Sequence, residues 1–503
     1  MDTSLLKYIE SSLVNGELPR DFSLPKEADN DEEIIWADGA MDGVAVYHMG
    51  YSDLDDEDKS LMIEALKYVS DGNYEKADEL FIKLTSRKHA LQIIDPLQSY
   101  INSHRNDLDA VNLNKYGLYL LINASRREMV KLGLSFLELF VTDKNEEIKR
   151  ATRIIGLSDE FTLFAIYVMA KWKDGNNEIW QLAKKVHSWG RIHAIEIIEP
   201  VNEEIRKWFL MDGVHNDVMD SYSALICWNK AGCNELIHNI QSKEEYTSIR
   251  DIIRGMLNES AVAGLSKIEN KEEVILVFLS YARNYADEIE DFETVLEIKE
   301  YFEQENEEIV SLCNEIINTD KCRELVKEAV KKGHNIELAE ELNIDYRNDL
   351  YELMESSFKD KHFLCSYLMD DPEYKDKVID LFHTNLPLNE MKTSPSTTLG
   401  LGENYWKQRA LECLLQELNR YPLEGVDFVE TGLQSEPIRT RNLALSTIEA
   451  WVSQLNKPLS ELLPELDILL NMFSVLEPDE KVKKRMEDLL KGNTSFDDIS
   501  IEF

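Results

Sequence analysis

The sequence predicts an all-α chain, an α-solenoid or superhelix of antiparallel helix pairs. Three observations carry that prediction. Glycine and proline are scarce, 20 and 12 of 503 residues, or ~4% and ~2% against the usual ~7% and ~5%. Apolar residues recur at helical spacing through most of residues 60–385. Near the far end of the chain, one helical pattern returns with Lys407 falling on Arg441.

Taken in order, Leu5, Leu6, Ile9 and Leu13 recur at three and four and predict a first helix over 3–14. Residues 17–35 hold Pro19, Pro25 and the run KEADNDEE, which predicts a loop. Residues 34–50, IIWADGAMDGVAVYHMG, leave a short hairpin and a broken helix both open. DLDDEDK at 53–59 begins a long helical stretch, its acids set favourably against the helix dipole. In 71–87, Tyr74, Ala77, Leu80, Phe81 and Leu84 share one face. After it come amphipathic segments joined by short polar connections, which predict neighbouring helices folded back on one another. No strict register is legible across 240–385.

The repeat is clearest where KQRALECLLQEL, from Lys407, is set against RNLALSTIEAWV, from Arg441. Ala410 then falls on Ala444, Leu411 on Leu445 and Leu414 on Ile448. A unit of about 34 residues built of paired helices is a solenoid signature. The pattern basic–x–x–Ala–Leu resembles the second helix of a HEAT repeat, as do IKRATRIIGL (148–157) and GRIHAIEIIEP (190–200). The predicted pairs are therefore HEAT-like, and Ala410 and Ala444 should be buried where the helices touch. The organisation expected is a helix and glycine-rich segment over 1–55, a main array over 56–385 and a Pro/Gly/Ser/Thr-rich linker over 386–403. HEAT-like repeats over 404–490 and a frayed tail over 491–503 complete it.

Composition excludes several classes of function. Lys and Arg number 55 against 96 Asp and Glu, a net charge of −41. Nucleic-acid binding needs clustered cations to meet phosphate, and anionic lipid needs the same, so neither nucleic acid nor a membrane is an expected partner. The expected partner is another protein, with basic ones favoured by the field. The opening residues carry no basic stretch followed by an apolar run, so no secretion signal is expected. EFTLFAIYVMAKW and EVILVFLSYA are too short to span a bilayer. Cys227, Cys233, Cys313, Cys322, Cys365 and Cys413 show no paired spacing, which suits reduced thiols and a cytoplasmic location.

The segment VHSWGRIHAIEIIEPVNEEIRKWFLMDGVHNDVMD (186–220) is the densest in functional residue types. Trp189, Arg191, His193 and His215 are the candidate ligand- or partner-binding residues, types favoured at hot spots or tunable near neutral pH. Arg191 would anchor an anionic ligand, and Gly190 and Gly213 would let backbone approach it. The competing reading packs Trp189 and His193 between repeats, ties Arg191 to Glu196 or Asp212, and uses Asp212 and Asp217 as helix caps. No two histidines stand at the i, i+4 spacing of a metal-binding helix, and no metal ligands, cofactor or catalytic residues are assigned. Asp38, Asp42 and His48 lie in a glycine-rich stretch without the Lys or Ser/Thr of a phosphate loop. LGLGEN (399–404) lacks the strand and third glycine of a dinucleotide fingerprint and reads as a turn before a helix. Residues 287–308 hold eleven acids and one lysine, but Phe292, Val295, Leu296, Ile298 and Phe302 at helical spacing make this the acidic face of a core helix.

Three stretches, ADGAMDGVAVYH, WGRIHAIEIIEP–EEIRKWFLMDGV and LGLGENYWKQRALECLLQEL–GLQSEPIRTRNLALSTIEAW, together resemble a family of long, uncharacterised bacterial HEAT-like helical-repeat proteins. The resemblance covers most of the chain. Some relatives carry the label limonene hydroxylase, although the sequence holds no Cys-ligand loop, dinucleotide fingerprint or two-His-one-carboxylate spacing for oxygen chemistry. The family carries over no catalytic residues. The function expected is a protein-binding scaffold. The alternatives are an enzyme with a site near Trp189–Asp220, or an acidic immunity or toxin-neutralising protein.

Overall fold

The computed structural model describes residues 3–27 and 36–492. Among them the secondary structure is helical: thirty α-helices, short 3-10 turns and one π turn, with no β-strand. The chain divides into two compact units, Met1–Ile316 and Ile317–Phe503. The tail expected to fray falls almost wholly at 493–503, outside the described residues.

In the first unit, Leu5–Ser12 buries Leu5, Leu6 and Ile9. Asp55 caps the helix Asp56–Ser70 by accepting the Asp58 N–H at 2.8 Å, with three acids in the first turn. From there the chain runs in helix pairs. Ala110–Asn123 packs on Arg127–Glu138, Glu146–Ile155 on Asp159–Met169, Gly175–Ala183 on Trp189–Ile197, and Glu203–Met211 on Ser221–Ala231. The second helix of each pair also packs on the second helix of the next, and the row continues through Lys243–Leu257 to Ile289–Phe302. The first four of these helices start at residues 127, 159, 189 and 221, so they recur 32, 30 and 32 residues apart. Small residues permit the close approach. A Cβ on Gly156 would stand 3.0 Å from Ala165 Cβ, and one on Gly255 would stand 2.7 Å from Ala224 Cβ.

The hairpin-or-helix question over 34–50 is answered for its described part. Ala40–Val44 is α-helical and Ala45–Met49 is a π turn. Gly39 and Gly50 bound it at φ 78° and 63°, left-handed values that glycine adopts freely. The acidic stretch at 287–308 contains the helix Ile289–Phe302, with Phe292, Val295, Leu296, Ile298 and Phe302 buried.

In the second unit, Ala410, Leu411 and Leu414 of Trp406–Leu418 and Ala444, Leu445 and Ile448 of Ile438–Leu455 are all buried. Thr447 and Trp451 donate to the carbonyls of Leu415 and Leu418 at 3.0 and 2.7 Å, which locks the two helices together. The stretch expected as a linker, 386–403, is tied to this pair. Ser396 N–H donates to Glu436 O at 3.1 Å, and the buried Arg441 donates to Ser396 O at 2.8 Å. Gly400 and Gly402 take φ 71° and 94°, and the helix Trp406–Leu418 follows one short turn later.

Candidate functional site

The row of second helices in the first unit brings most of the candidate residues together, and the 36–51 segment lies across it. Gly43 meets Trp189 so closely that a Cβ there would sit inside the indole. Tyr47 stacks on His193 with ring centroids 5.9 Å apart and meets Tyr222 edge-on at 5.0 Å. Its hydroxyl donates to Glu196 Oε1 at 2.5 Å. His48 Nε2 stands 2.6 Å from the Tyr222 hydroxyl. Trp189, Ile192 and Tyr222 form an apolar seat shared with Ala40, Val44 and Tyr47 and with Val218, Ala261 and Val262.

A buried charge cluster holds the other side of this segment. Lys131 Nζ lies 2.6 Å from Asp42, 2.7 Å from Glu160 and 2.8 Å from Glu128. Arg127 reaches Asp38 at 3.1 Å, and the Gly39 N–H donates to Glu160 at 2.8 Å. Burial alone would lower the Lys131 ammonium, but Glu128, Glu160 and Asp42 outweigh it and hold it well above its usual range. Burial pushes Asp42 up to about 6 against the pull of Lys131. Breaking such a pair by removing one partner leaves a buried charge alone, which typically costs ~3–5 kcal/mol.

The four residues singled out from the sequence divide. Trp189, Arg191 and His193 are 5%, 6% and 2% exposed. Arg191 donates to both the carbonyl and the carboxylate of Asp212, at 2.5 and 2.8 Å, and lies over the Trp208 ring. That is one of the two ion pairs weighed for it. Neither ring nitrogen of His193 has a partner, and burial pushes its pKa down to about 4, so the ring stays neutral. Gly190 and Gly213 approach protein rather than open space: a Cβ on Gly190 would collide with Thr162, and one on Gly213 would meet Phe209 Cα at 2.9 Å. Asp212 stands at the C-terminal end of Glu203–Met211, and Asp217 pairs with Arg20 at 2.5 Å.

His215 is placed differently. It is half-exposed between two carboxylates, with Nδ1 3.4 Å from Asp220 and Nε2 3.5 Å from Asp251. Its hydrogen bond to Asp220 raises its pKa above the usual value, and Asp251 and Asp212 add to the effect. Asp220 and Asp251 also line a cavity of about 640 Å³, with Met219, Ser221, Arg254, Leu257, Asn258, Glu297, Glu300 and Tyr301 among its walls. Arg254 is engaged by Glu293 at 2.8 Å and by Glu297 at 2.8 Å. Arg250 is engaged by Asp251 at 2.8 Å and by the fully buried Asp291 at 2.7 Å. Four carboxylates against one lining guanidinium leave the wall negative.

Sequence reasoning did not single out Lys131, Glu160, Tyr222, Asp251, Arg254, Glu297 or Tyr301. Glu297 and Glu300 stand at i and i+3 on the acidic side of a core helix, a legible signal for a shared face. What that face looks onto is a tertiary fact. Among the described residues, no group of three or more His, Cys, Asp or Glu is placed to hold a metal ion. No described helix is long and apolar enough to cross a membrane. Comparison of the chain with protein-family models, with curated proteins and with solved structures finds no match.

Proposed function

We propose that the chain is a protein-binding scaffold, an α-solenoid of HEAT-like pairs akin to the bacterial helical-repeat family it resembles. It works in the cytoplasm and takes a basic protein as partner, not nucleic acid or a membrane. The observation that carries this reading is the open acidic cavity over Ser221–Ala231, Lys243–Leu257 and Ile289–Phe302. It lies in a chain of net charge −41. Two features support the solenoid: each second helix packs on the next, and the spacing of about thirty residues recurs. Repeats that touch only their neighbours present an extended row of helices for recognition.

The reading is tested by fluorescence anisotropy on three probes: a polybasic protein segment, an acidic one of equal length, and duplex DNA. The basic probe should bind and weaken steeply as salt rises, because exposed charge pairs are screened. The acidic probe and the DNA should not bind. Equal binding of basic and acidic probes, or binding of none, would contradict the reading.

A further inference from the structure

The cavity is not walled by acids alone. Ser221 is 4% exposed, lines it, and its hydroxyl has no hydrogen-bond partner. A buried hydroxyl left unpaired is costly, and a donor arriving from a ligand would relieve it. Met219, Leu257 and Tyr301 supply apolar wall beside Asp220, Asp251, Glu297 and Glu300. The cavity also borders a place where this row of helices already takes a chain segment. The turn 218–222 and the loop 258–262 contribute both to the seat under Ala40, Val44 and Tyr47 and to the cavity. The 36–51 segment covers the first side of that border, and the cavity on the other side is open.

We propose that this cavity receives an arginine side chain presented by the basic partner; the assignment rests on the reading of the chain as a binder of a basic protein. The volume lies within the range of ligand pockets, ~300–1,000 Å³. That is room for a long side chain and some flanking backbone. A guanidinium offers five donors in a planar fork, which suits carboxylates set around it and a spare hydroxyl acceptor. Its stem would lie along Met219 and Leu257, and its plane can stack on the Tyr301 ring. The same walls already hold two guanidinium groups in this manner, those of Arg250 and Arg254. A lysine would present a point charge and meet fewer of these acceptors.

The test is a set of labelled basic peptides identical but for one central residue: arginine, lysine, or citrulline, which keeps the shape and loses the charge. Affinities are measured for the wild-type chain and for an Asp220→Asn/Glu300→Gln variant checked by thermal melting. On the wild type, the arginine peptide should bind at least about tenfold tighter than the citrulline peptide, with lysine between them. In the variant that ratio should collapse toward one. Equal arginine and citrulline affinities on the wild type overturn the assignment whether or not the variant folds, as does an unchanged ratio in a folded variant. If all three peptides bind alike, the basic-partner reading stands and only the cavity assignment falls. If none binds, both fall.

Discussion

At the scale of single residues, His193 carries the sharpest consequence. Its ring is packed against Tyr47 and Trp189 with no partner for either nitrogen. The folded imidazole titrates near 4, whereas an ordinary one titrates near 6.5. Between those pH values the unfolded chain binds the extra proton. The stability this residue allows is therefore full above about pH 6.5 and is lost as pH falls toward 4, by up to about 3 kcal/mol. Asp159, pushed up to about 6 by burial although the Gly190 and Ser188 N–H groups oppose it, acts with the opposite sign. The informative quantity is thus the difference between wild type and His193→Phe, in which other groups cancel. Urea unfolding at pH 7 and pH 5 should show the wild type losing more stability than the variant on acidification. Parallel losses would mean that His193 is not held neutral in the fold.

Residue types were readable from the sequence, but not their surroundings. Trp189, Arg191, His193 and His215 stand within one short stretch, yet the fold sends Arg191 to Asp212, His193 into a dry aromatic stack and His215 to the cavity edge. The residues that line the cavity come from three helices up to eighty positions apart. Only packing brings them together, and no local pattern announces it.

At the scale of elements, helical periodicity was reliable because burial of one face enforces it. The acidic stretch at 287–308 and the alanines of the 34-residue offset behave as their spacing requires. The repeat of the first unit was harder to read, since its inner helices share small and apolar positions but no strict pattern. The 36–51 segment was ambiguous for a related reason: its three glycines serve contacts with distant partners, Trp189 and Asp159 among them. Ala444 offers a direct test of the helix contact. It is fully buried, and a Cβ on Gly432 would stand only 2.8 Å from its own. Ala444→Glu places an unpaired charge there and should destabilise the second unit by about 3–5 kcal/mol. Ser453→Glu, exposed on the same helix, should change stability by no more than about 0.5 kcal/mol. Thermal or urea unfolding followed by circular dichroism reads both. Similar effects of the two changes would contradict the packing of Val426–Leu433 against Ile438–Leu455.

At the scale of the whole molecule, a charge of −41 makes solubility and attraction of cations inseparable from sequence alone. The structure narrows the matter by giving the charge a concave place to act. Much of the acid lies on exposed helix faces, but Asp220, Asp251, Glu297 and Glu300 converge on one cavity beside a seat already filled by the chain itself. The account stands on that cavity as the place where a basic partner docks. The most direct measurement is hydrogen–deuterium exchange of the full chain with and without the arginine peptide. Slowed exchange should concentrate in Ser221–Ala231, Lys243–Leu257 and Ile289–Phe302, and the Ile317–Phe503 unit should be unaffected. Protection confined to other helices, or none at a peptide concentration that saturates binding, would contradict it.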